Sequence, residues 1–347
     1  MLYVTTGRDR DAYTPYRALA DDRGPDGGLY RPMTLPKLDR KQLNELGEKT
    51  FSENVADVVN YFFDTELDSW AIEFAIGRYS VKTLSVSGRT TIAETWHNPL
   101  WRFERLAKGV EKAIKQSDDI SPVSSDWLMI ASRIAVLFGL FGELIHEGTA
   151  SYDEPMDVVV PCGNFAPVMA CWYAKQWGLP IATILACCNE NAAAWNLLHK
   201  GELRTDMTLV NTDTPSCDCV VPQDLERLIH ANLGIREKER FLDCCTNKEN
   251  YYLEKEQFDK LRQGISVTVV SGSRMESTIK TLFLTNGYIS DPYTALCYSG
   301  LIDYRSRTGE RRNALILSEE SPAFSLGVVS RSLGVSPAEI KKRIDRG

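Results

Sequence analysis

The chain has 347 residues, a net charge of −7 at neutral pH, and a composition that is 43% hydrophobic and 25% charged. This composition excludes wholesale disorder, collagen and coiled coil, and the length predicts roughly two domains. The acidic balance disfavours nucleic acid as a partner, because proteins neutralise its phosphates with basic surfaces.

The cysteines predict a reducing location. Their number is odd, at nine, and two adjacent pairs, Cys187 with Cys188 and Cys244 with Cys245, are poorly placed for disulfides. No charged and then apolar leader occupies residues 1–11. We therefore expect a cytoplasmic protein.

One apolar stretch, residues 127–145, is long enough to raise the question of a membrane. Arg133 lies near its middle and Glu143 near its end. A central arginine costs roughly 2.5–3.5 kcal/mol on insertion scales, so the stretch predicts a buried or interfacial helix and no membrane partner.

The first third of the chain is turn-rich up to Pro36 and then helical. Apolar residues at helical spacing predict a helix over 52–63. Asn98 and Pro99 begin a second predicted helix, over 98–116, and a third runs from about 124 to 146.

The centre of the chain changes to alternating strands and helices. A strand at 157–161, apolar after Asp157, is followed by a helix ending at Gly178, a strand at 181–187 and a helix to 199. This βαβ pattern over 157–199 predicts an α/β protein with a parallel sheet. A charged helical insertion, 232–263, follows. The remaining predicted elements are strands at 267–270 and 314–317 and helices at 275–286, 292–305 and from 336.

The turn at 162–165 lies where a parallel strand ends and a helix begins. Ligands of open α/β sheets bind at such edges, and free amides at a helix start suit a phosphate. Gly163 would let the backbone approach a ligand closely. Two interpretations stay open at this stage, an anion site and a merely tight turn.

Several motifs in chain order resemble threonine synthase, specifically the longer branch of this family of pyridoxal-phosphate (PLP) enzymes of fold type II. The motifs are DGGLY at 26–30, VPCGNF at 160–165, AK at 174–175, GLPI at 178–181, NEN at 189–191, GYISDPYTA at 287–295 and SEESPA at 318–323. The resemblance implies an N-terminal region, 1–90, and an α/β large domain, 91–347. It also implies a three-layer, tryptophan synthase β-like fold, and conversion of O-phosphohomoserine to threonine with PLP.

The residue that would carry PLP departs from the family. The family segment E-x-x-H-G-P-T-x-x-F-K-D aligns with 94–105, where the lysine position holds Glu104. A carboxylate forms no imine. Lys108 lies one helical turn further on, about 5.4 Å along the axis. It is either the i, i+4 ion-pair partner of Glu104 or a relocated cofactor lysine.

The phosphate-binding motif of the family is retained only in part. Gly163, Asn164 and Phe165 match it, but Ala166 and Pro167 replace a glycine and an aspartate. Pro167 removes an amide donor and Ala166 resists positive φ, so we expect a weakened phosphate site.

Two further departures concern the rest of the family's active site. Glu319 stands at the position of the hydroxyl residue that partners the pyridine nitrogen, either as such a partner or as a solvated loop charge. The family's S-G-D-T-G loop is missing, and a short connection, 116–123, replaces a whole subdomain. We therefore expect the mobile small subdomain to be largely absent.

No metal site is predicted. The four histidines show no H-E-x-x-H pattern, and the spacing of Cys217, Cys219, Cys244 and Cys245 fits no standard zinc motif.

The sequence thus favours a degenerate threonine synthase-like protein without bound PLP. Such a protein would bind a phosphorylated metabolite at Gly163 and Asn164, or use its former cleft in a homo-oligomer or with a protein partner, with 127–145 as the candidate contact. The alternative is an active PLP enzyme that uses Lys108. A third hypothesis is new chemistry built on Glu104, His97 and Glu319.

Overall fold

The computed structural model describes residues 1–8, 11–76, 81–97 and 126–345, with the backbone alone at 75 and 76. The predicted helix 98–116, which carries Glu104 and Lys108, and the connection 116–123 lie outside the described residues.

The N-terminal elements form a small ribbon and a group of helices. The ribbon pairs two antiparallel strands, β1 (Tyr3–Thr5) and β2 (Tyr30–Pro32). The helices are α1 (Pro15–Ala20), α2 (Arg40–Glu48), α3 (Phe51–Phe63) and α4 (Ser69–Ile76). The predicted helix 52–63 is confirmed as α3, whose start is fixed by a capping box between Thr50 and Glu53.

A six-stranded sheet runs through the centre of the molecule in the order β3-β4-β10-β5-β6-β9. Only β3 is antiparallel to its neighbour among these described strands. The strands are β3 (Lys82–Val86), β4 (Thr90–Glu94), β5 (Met156–Pro161), β6 (Ile181–Cys188), β9 (Ile265–Val269) and β10 (Ala314–Ser318). The predicted parallel sheet is confirmed, and β3 and β4 are strands that the sequence reasoning missed.

The remaining helices cover both faces of this sheet. They are α5 (Asp126–His146), α6 (Ala166–Trp177), α7 (Ala193–Trp195, continuing as the π-turn Asn196–Lys200), α8 (Leu225–Leu233), α9 (Ile235–Asn247), α10 (Lys255–Leu261), α11 (Gly272–Asn286), α12 (Pro292–Thr308), α13 (Leu326–Leu333) and α14 (Pro337–Ile344). Within the predicted insertion 232–263, β8 (Tyr251–Tyr252) separates α9 from α10 and pairs with β7 (Glu202–Leu203).

Alternation along the strands produces three layers. Val158 and Val160 of β5 pack into one core with α3, α5 and α6, whereas Val159 packs into a second core with α11 and α12. Successive strand side chains point to opposite faces, so each buried strand needs a helical layer on both sides. This is the predicted three-layer α/β architecture. The boundary between 1–90 and 91–347 stays a prediction.

Helix α5 is a core helix of this fold. It is long and apolar enough to cross a membrane by length and composition, but 78% of its most apolar window is buried inside the protein. Gly139 and Gly142 allow the closest packing, because a Cβ would lie 2.6 Å from the Phe51 ring at the first and 2.3 Å from the Asn54 amide at the second. Packing within the chain therefore accounts for the apolar stretch 127–145, which the sequence analysis gave as the candidate contact with another molecule.

Candidate ligand-binding cleft

A cavity of about 940 Å³ opens at the carboxyl ends of β4, β5 and β10. The residues that follow these strands form its walls, and α5 closes one side with Met129 and Arg133. The other described lining residues are Trp96, His97, Pro161, Gly163, Asn164, Pro167, Ser216, Cys217, Tyr293, Leu317, Glu319, Glu320, Ser321, Ala323, Phe324, Ile344 and Asp345. The cavity lies where open α/β sheets bind ligands.

The turn after β5 divides its residues between the cleft and the core. Gly163, at φ 50°, and Asn164 line the cavity. Phe165 adopts φ 76° but is fully buried in the core, so its side chain is no cleft contact. Ala166 begins α6 without a positive φ, so its resistance to positive φ does not affect this turn. The left-handed position falls one residue earlier.

Hydrogen bonds within this turn engage the donors that a phosphate would need. The Ala166 amide donates to Asn164 Oδ1 at 3.0 Å, and Pro167 has no amide hydrogen. The Gly163 backbone hydrogen-bonds the thiol of Cys217. Asn164 therefore caps the turn from which α6 begins, and the dipole of this twelve-residue helix is the main remaining attraction for an anion.

Glu319 is held by an arginine that the sequence reasoning did not connect with it. Arg133 Nε donates to Glu319 Oε1 at 3.2 Å and Arg133 Nη2 to Glu319 Oε2 at 3.1 Å. Their side chains are only 16% and 23% exposed. Such a fork engages both carboxylate oxygens. The expectation of a solvated loop charge was wrong, because Glu319 joins the loop after β10 to α5.

A histidine and a buried carboxylate lie at the end of β4. His97 Nε2 bonds to Glu94, whose side chain is 3% exposed, and Lys82 Nζ lies 3.8 Å from the same carboxylate. The Trp96 ring stacks on the His97 ring at a centroid distance of 3.8 Å. His97 and Glu319 therefore line one cavity, as the third hypothesis requires, but each has a charged partner already, and Glu104 lies outside the described residues.

The motif at 287–295 supplies a buried anchor and an exposed hydroxyl. Asp291 is fully buried and caps α12 by accepting from the amides of Tyr293 and Thr294 at 2.8 and 3.0 Å. Burial raises the pKa of Asp291. The Tyr293 hydroxyl donates to Ser216 Oγ at 3.1 Å, at the cavity wall. Sequence reasoning missed Tyr293 and Ser216 as cleft residues, because their 77-residue separation hides the contact.

Glu320 is the second acidic residue of the loop after β10 that lines the cavity. Burial, together with the nearby Asp291 carboxylate, raises the pKa of Glu320 to about 7. Perturbed acids inside a cavity are candidates for functional groups. The sequence reasoning overlooked this residue, since its position in the motif matched no family role.

The thiols beneath the cleft are poor candidates for chemistry. Cys162 and Cys217 are buried, and burial raises the pKa of Cys217 to about 12. The pKa of Cys162 is also well above its ordinary value, through the neighbouring Cys188 thiol and burial. A protonated thiol is a weak nucleophile. Among the described residues, no group of three histidine, cysteine or acidic side chains could hold a metal ion.

Comparison with known proteins gives related matches in sequence and in structure. Residues 2–78 match the family described as threonine synthase N terminus. The chain is 29% identical over 177 residues to threonine synthase-like 1 of Pongo abelii, covering 50% of this chain and 24% of the relative. It is 26% identical over 273 residues to threonine synthase of Buchnera aphidicola, covering 78% of this chain and 54% of the relative. The chain thus spans a quarter to a half of the lengths of these relatives.

The fold also matches a solved structure, the PLP-bound threonine synthase from Brucella melitensis. The TM-score is 0.82 at 18% identity, with 97% of this chain and 92% of that chain covered. The predicted fold class, the fold-type II PLP fold with a mostly parallel sheet, is confirmed.

Proposed function

Because the chain belongs to the threonine synthase family, we propose that it keeps the cleft as a small-molecule site but does not convert O-phosphohomoserine to threonine with PLP. The observation that carries the proposal is the Arg133–Glu319 ion pair inside the cleft. It occupies the loop that the resemblance assigns to the pyridine nitrogen and leaves no hydroxyl at that position.

The other described residues of the cleft also fit PLP poorly. None of those that line the cavity is a lysine, and the aligned lysine position holds Glu104. Arg133 is the one permanently charged cation among them, whereas Glu319, Glu320 and Asp345 contribute carboxylates. A cofactor phosphate would therefore meet a turn capped by Asn164 and an acidic wall.

Borohydride trapping tests this proposal. The protein is titrated with PLP, the absorbance of a lysine-bound cofactor is measured, and the reduced protein is mapped by peptide mass spectrometry. We expect no stoichiometric adduct, because the position aligned with the family's cofactor lysine holds a carboxylate, Glu104. A single lysine modified at full occupancy would overturn the proposal.

A modified Lys108 would establish the alternative of a relocated anchor. Lys108→Gln should then abolish trapping, and Lys112→Gln, four residues further along the chain, serves as the matched control. Complementation of a threonine auxotroph by the gene gives an independent readout of synthase activity.

A phosphorylated metabolite at Gly163 and Asn164 is the second candidate for this cleft. Its support is the position of both residues on the cavity wall at the start of α6. Calorimetry with O-phosphohomoserine and inorganic phosphate tests it, and Asn164→Ala should weaken a genuine phosphate contact. A cytoplasmic location and association with a second copy or another protein also stay proposals, which fractionation and light scattering test.

A further inference from the structure

We propose that the cleft takes a small ligand carrying a protonated amine, with Glu320 as the anionic partner of that amine. The inference deepens the proposed small-molecule function and rests on it. The family resemblance leaves open which sign of ligand charge suits a cleft whose cofactor lysine position holds Glu104 and whose loop holds Glu319.

Two carboxylates on the described cavity wall are left after the other charged side chains are paired. Arg133 is matched by Glu319 through two hydrogen bonds, and His97 is matched by Glu94. Among the described residues, Glu320 has no ion-pair partner, and Asp345 adds a second carboxylate at the exposed rim. The part of the cavity wall that the structure describes is therefore negative.

Glu320 is partly buried and lies near a second carboxylate, that of Asp291. Asp291, fully buried nearby, directs its oxygens to the start of α12 and to the Ser318 hydroxyl, 3.2 Å away. The burial of Glu320 and the negative charge of Asp291 together raise the pKa of Glu320 to about 7. A cation placed against Glu320 opposes both effects on the pKa, since an opposite charge favours the ionised carboxylate. An anion at the same place would reinforce them.

Aromatic rings and hydroxyl groups line the same cavity as this carboxylate. The rings of Trp96, Tyr293 and Phe324 line the same cavity. Aromatic faces attract cations, and an ammonium group has three donors that carboxylate and hydroxyl oxygens accept. The Ser216 and Tyr293 hydroxyls provide such oxygens on one wall. A cavity of about 940 Å³ is also within the usual range for small-molecule sites.

Three probes of similar shape and different charge test the inference on the full chain. They are 2-phenylethylamine, 2-phenylethanol and phenylacetate, with dissociation constants measured by NMR titration. We expect the amine to bind about tenfold tighter than the alcohol, with phenylacetate the weakest. Glu320→Gln should abolish the preference for the amine. Glu256→Gln, an exposed residue of α10 away from the cavity, should retain it.

The pH dependence provides a second readout. Between pH 6 and pH 8 the ionised fraction of a group with pKa about 7 rises about tenfold, so affinity for the amine should rise by a similar factor. Among the described residues, the titratable and charged groups that interact with Glu320 or line the cavity with it are Asp291, Tyr293, Cys217, Glu319, Arg133, His97 and Asp345. Glu320→Gln should flatten this dependence, which separates Glu320 from those neighbours.

Three results would overturn the inference: phenylacetate binding as tightly as the amine, amine affinity unchanged by Glu320→Gln, or no saturable binding of the amine up to about 10 mM. These results are distinguishable from failure of the proposed function. A trapped lysine with intact amine preference overturns the absence of PLP chemistry alone, whereas a blank PLP spectrum without amine preference overturns this inference alone.

Discussion

Within the same motifs, the residues that face the core and the residues that face the cleft differ in their roles. In the turn after β5, Phe165 is fully buried, whereas Gly163 and Asn164 face the cavity. In the motif before α12, Asp291 caps the helix from inside and Tyr293 lines the cavity. The inward residues retain what the fold needs, and the departures at Glu319 and Pro167 lie on the cavity wall.

A resemblance in motifs can therefore indicate a shared fold more strongly than a shared reaction. Removing a buried core side chain leaves a cavity or an unpaired polar group, which costs several kcal/mol. A residue facing a wide cleft has solvent to replace its contacts. The following predictions test this contrast between inward and cleft-facing residues, in order of expected effect.

Phe165→Ala should destabilise the protein by about 3–5 kcal/mol, because a fully buried aromatic side chain is removed from the core. Phe324→Ala is the matched control on the cavity rim, where the ring is 66% exposed, and should change stability by about 0.5 kcal/mol or less. Urea unfolding measures both. Equal effects would abolish the distinction between the two sides.

The Arg133–Glu319 pair should contribute more than an exposed pair does. A double-mutant cycle with Arg133→Gln and Glu319→Gln should give a coupling energy of about 1–2 kcal/mol, since both side chains are largely buried. The exposed pair Arg262–Asp259, with side chains 50% and 49% exposed, should give about 0.5 kcal/mol or less. A coupling energy near zero at Arg133 would mean that the bidentate contact does not organise the cleft.

The contribution of Glu143 to the stability of the protein should fall as the pH rises from about 5 to 8. Burial raises the pKa of Glu143 to about 7, with Glu147 adding to the effect, so the folded state binds more protons than the unfolded state across this range. The contribution is present below the unfolded pKa and is lost as the pH passes 7. After solvent screening we expect about 1 kcal/mol.

Glu143→Gln should reduce this slope, as measured by urea unfolding at several pH values. Glu48→Gln, at an exposed position of α2, serves as the control and should leave the slope in place. A pH dependence that Glu143→Gln leaves unchanged, or shifts toward a steeper fall, would contradict the assignment.

The sequence was sufficient where local pattern determines structure. Strands β5 and β6 were predicted because short apolar runs end in glycine and turn residues, and the parallel arrangement followed from the helices between them. Strands β3 and β4 were missed because their sequences, KTLSV and TTIAE, mix polar and apolar residues. Pairing with β10 places β4 inside the sheet, which local pattern does not reveal.

The candidate site was predictable only in position. The turn at Gly163 marked the correct edge of the sheet, since glycine at positive φ is a local signal. Glu319 was misread because its partner, Arg133, lies 186 residues away. Phe165 was assigned to the phosphate site on resemblance alone, and a motif does not indicate which way a left-handed residue directs its side chain.

The most direct test of the account is the intact mass of the protein after incubation with PLP and borohydride. The account predicts no stoichiometric pyridoxyl adduct on the native chain, because Glu104 stands at the aligned lysine position and no lysine lines the described part of the cleft. One pyridoxyl group per chain on a single lysine, abolished by substitution of that lysine alone, would contradict it.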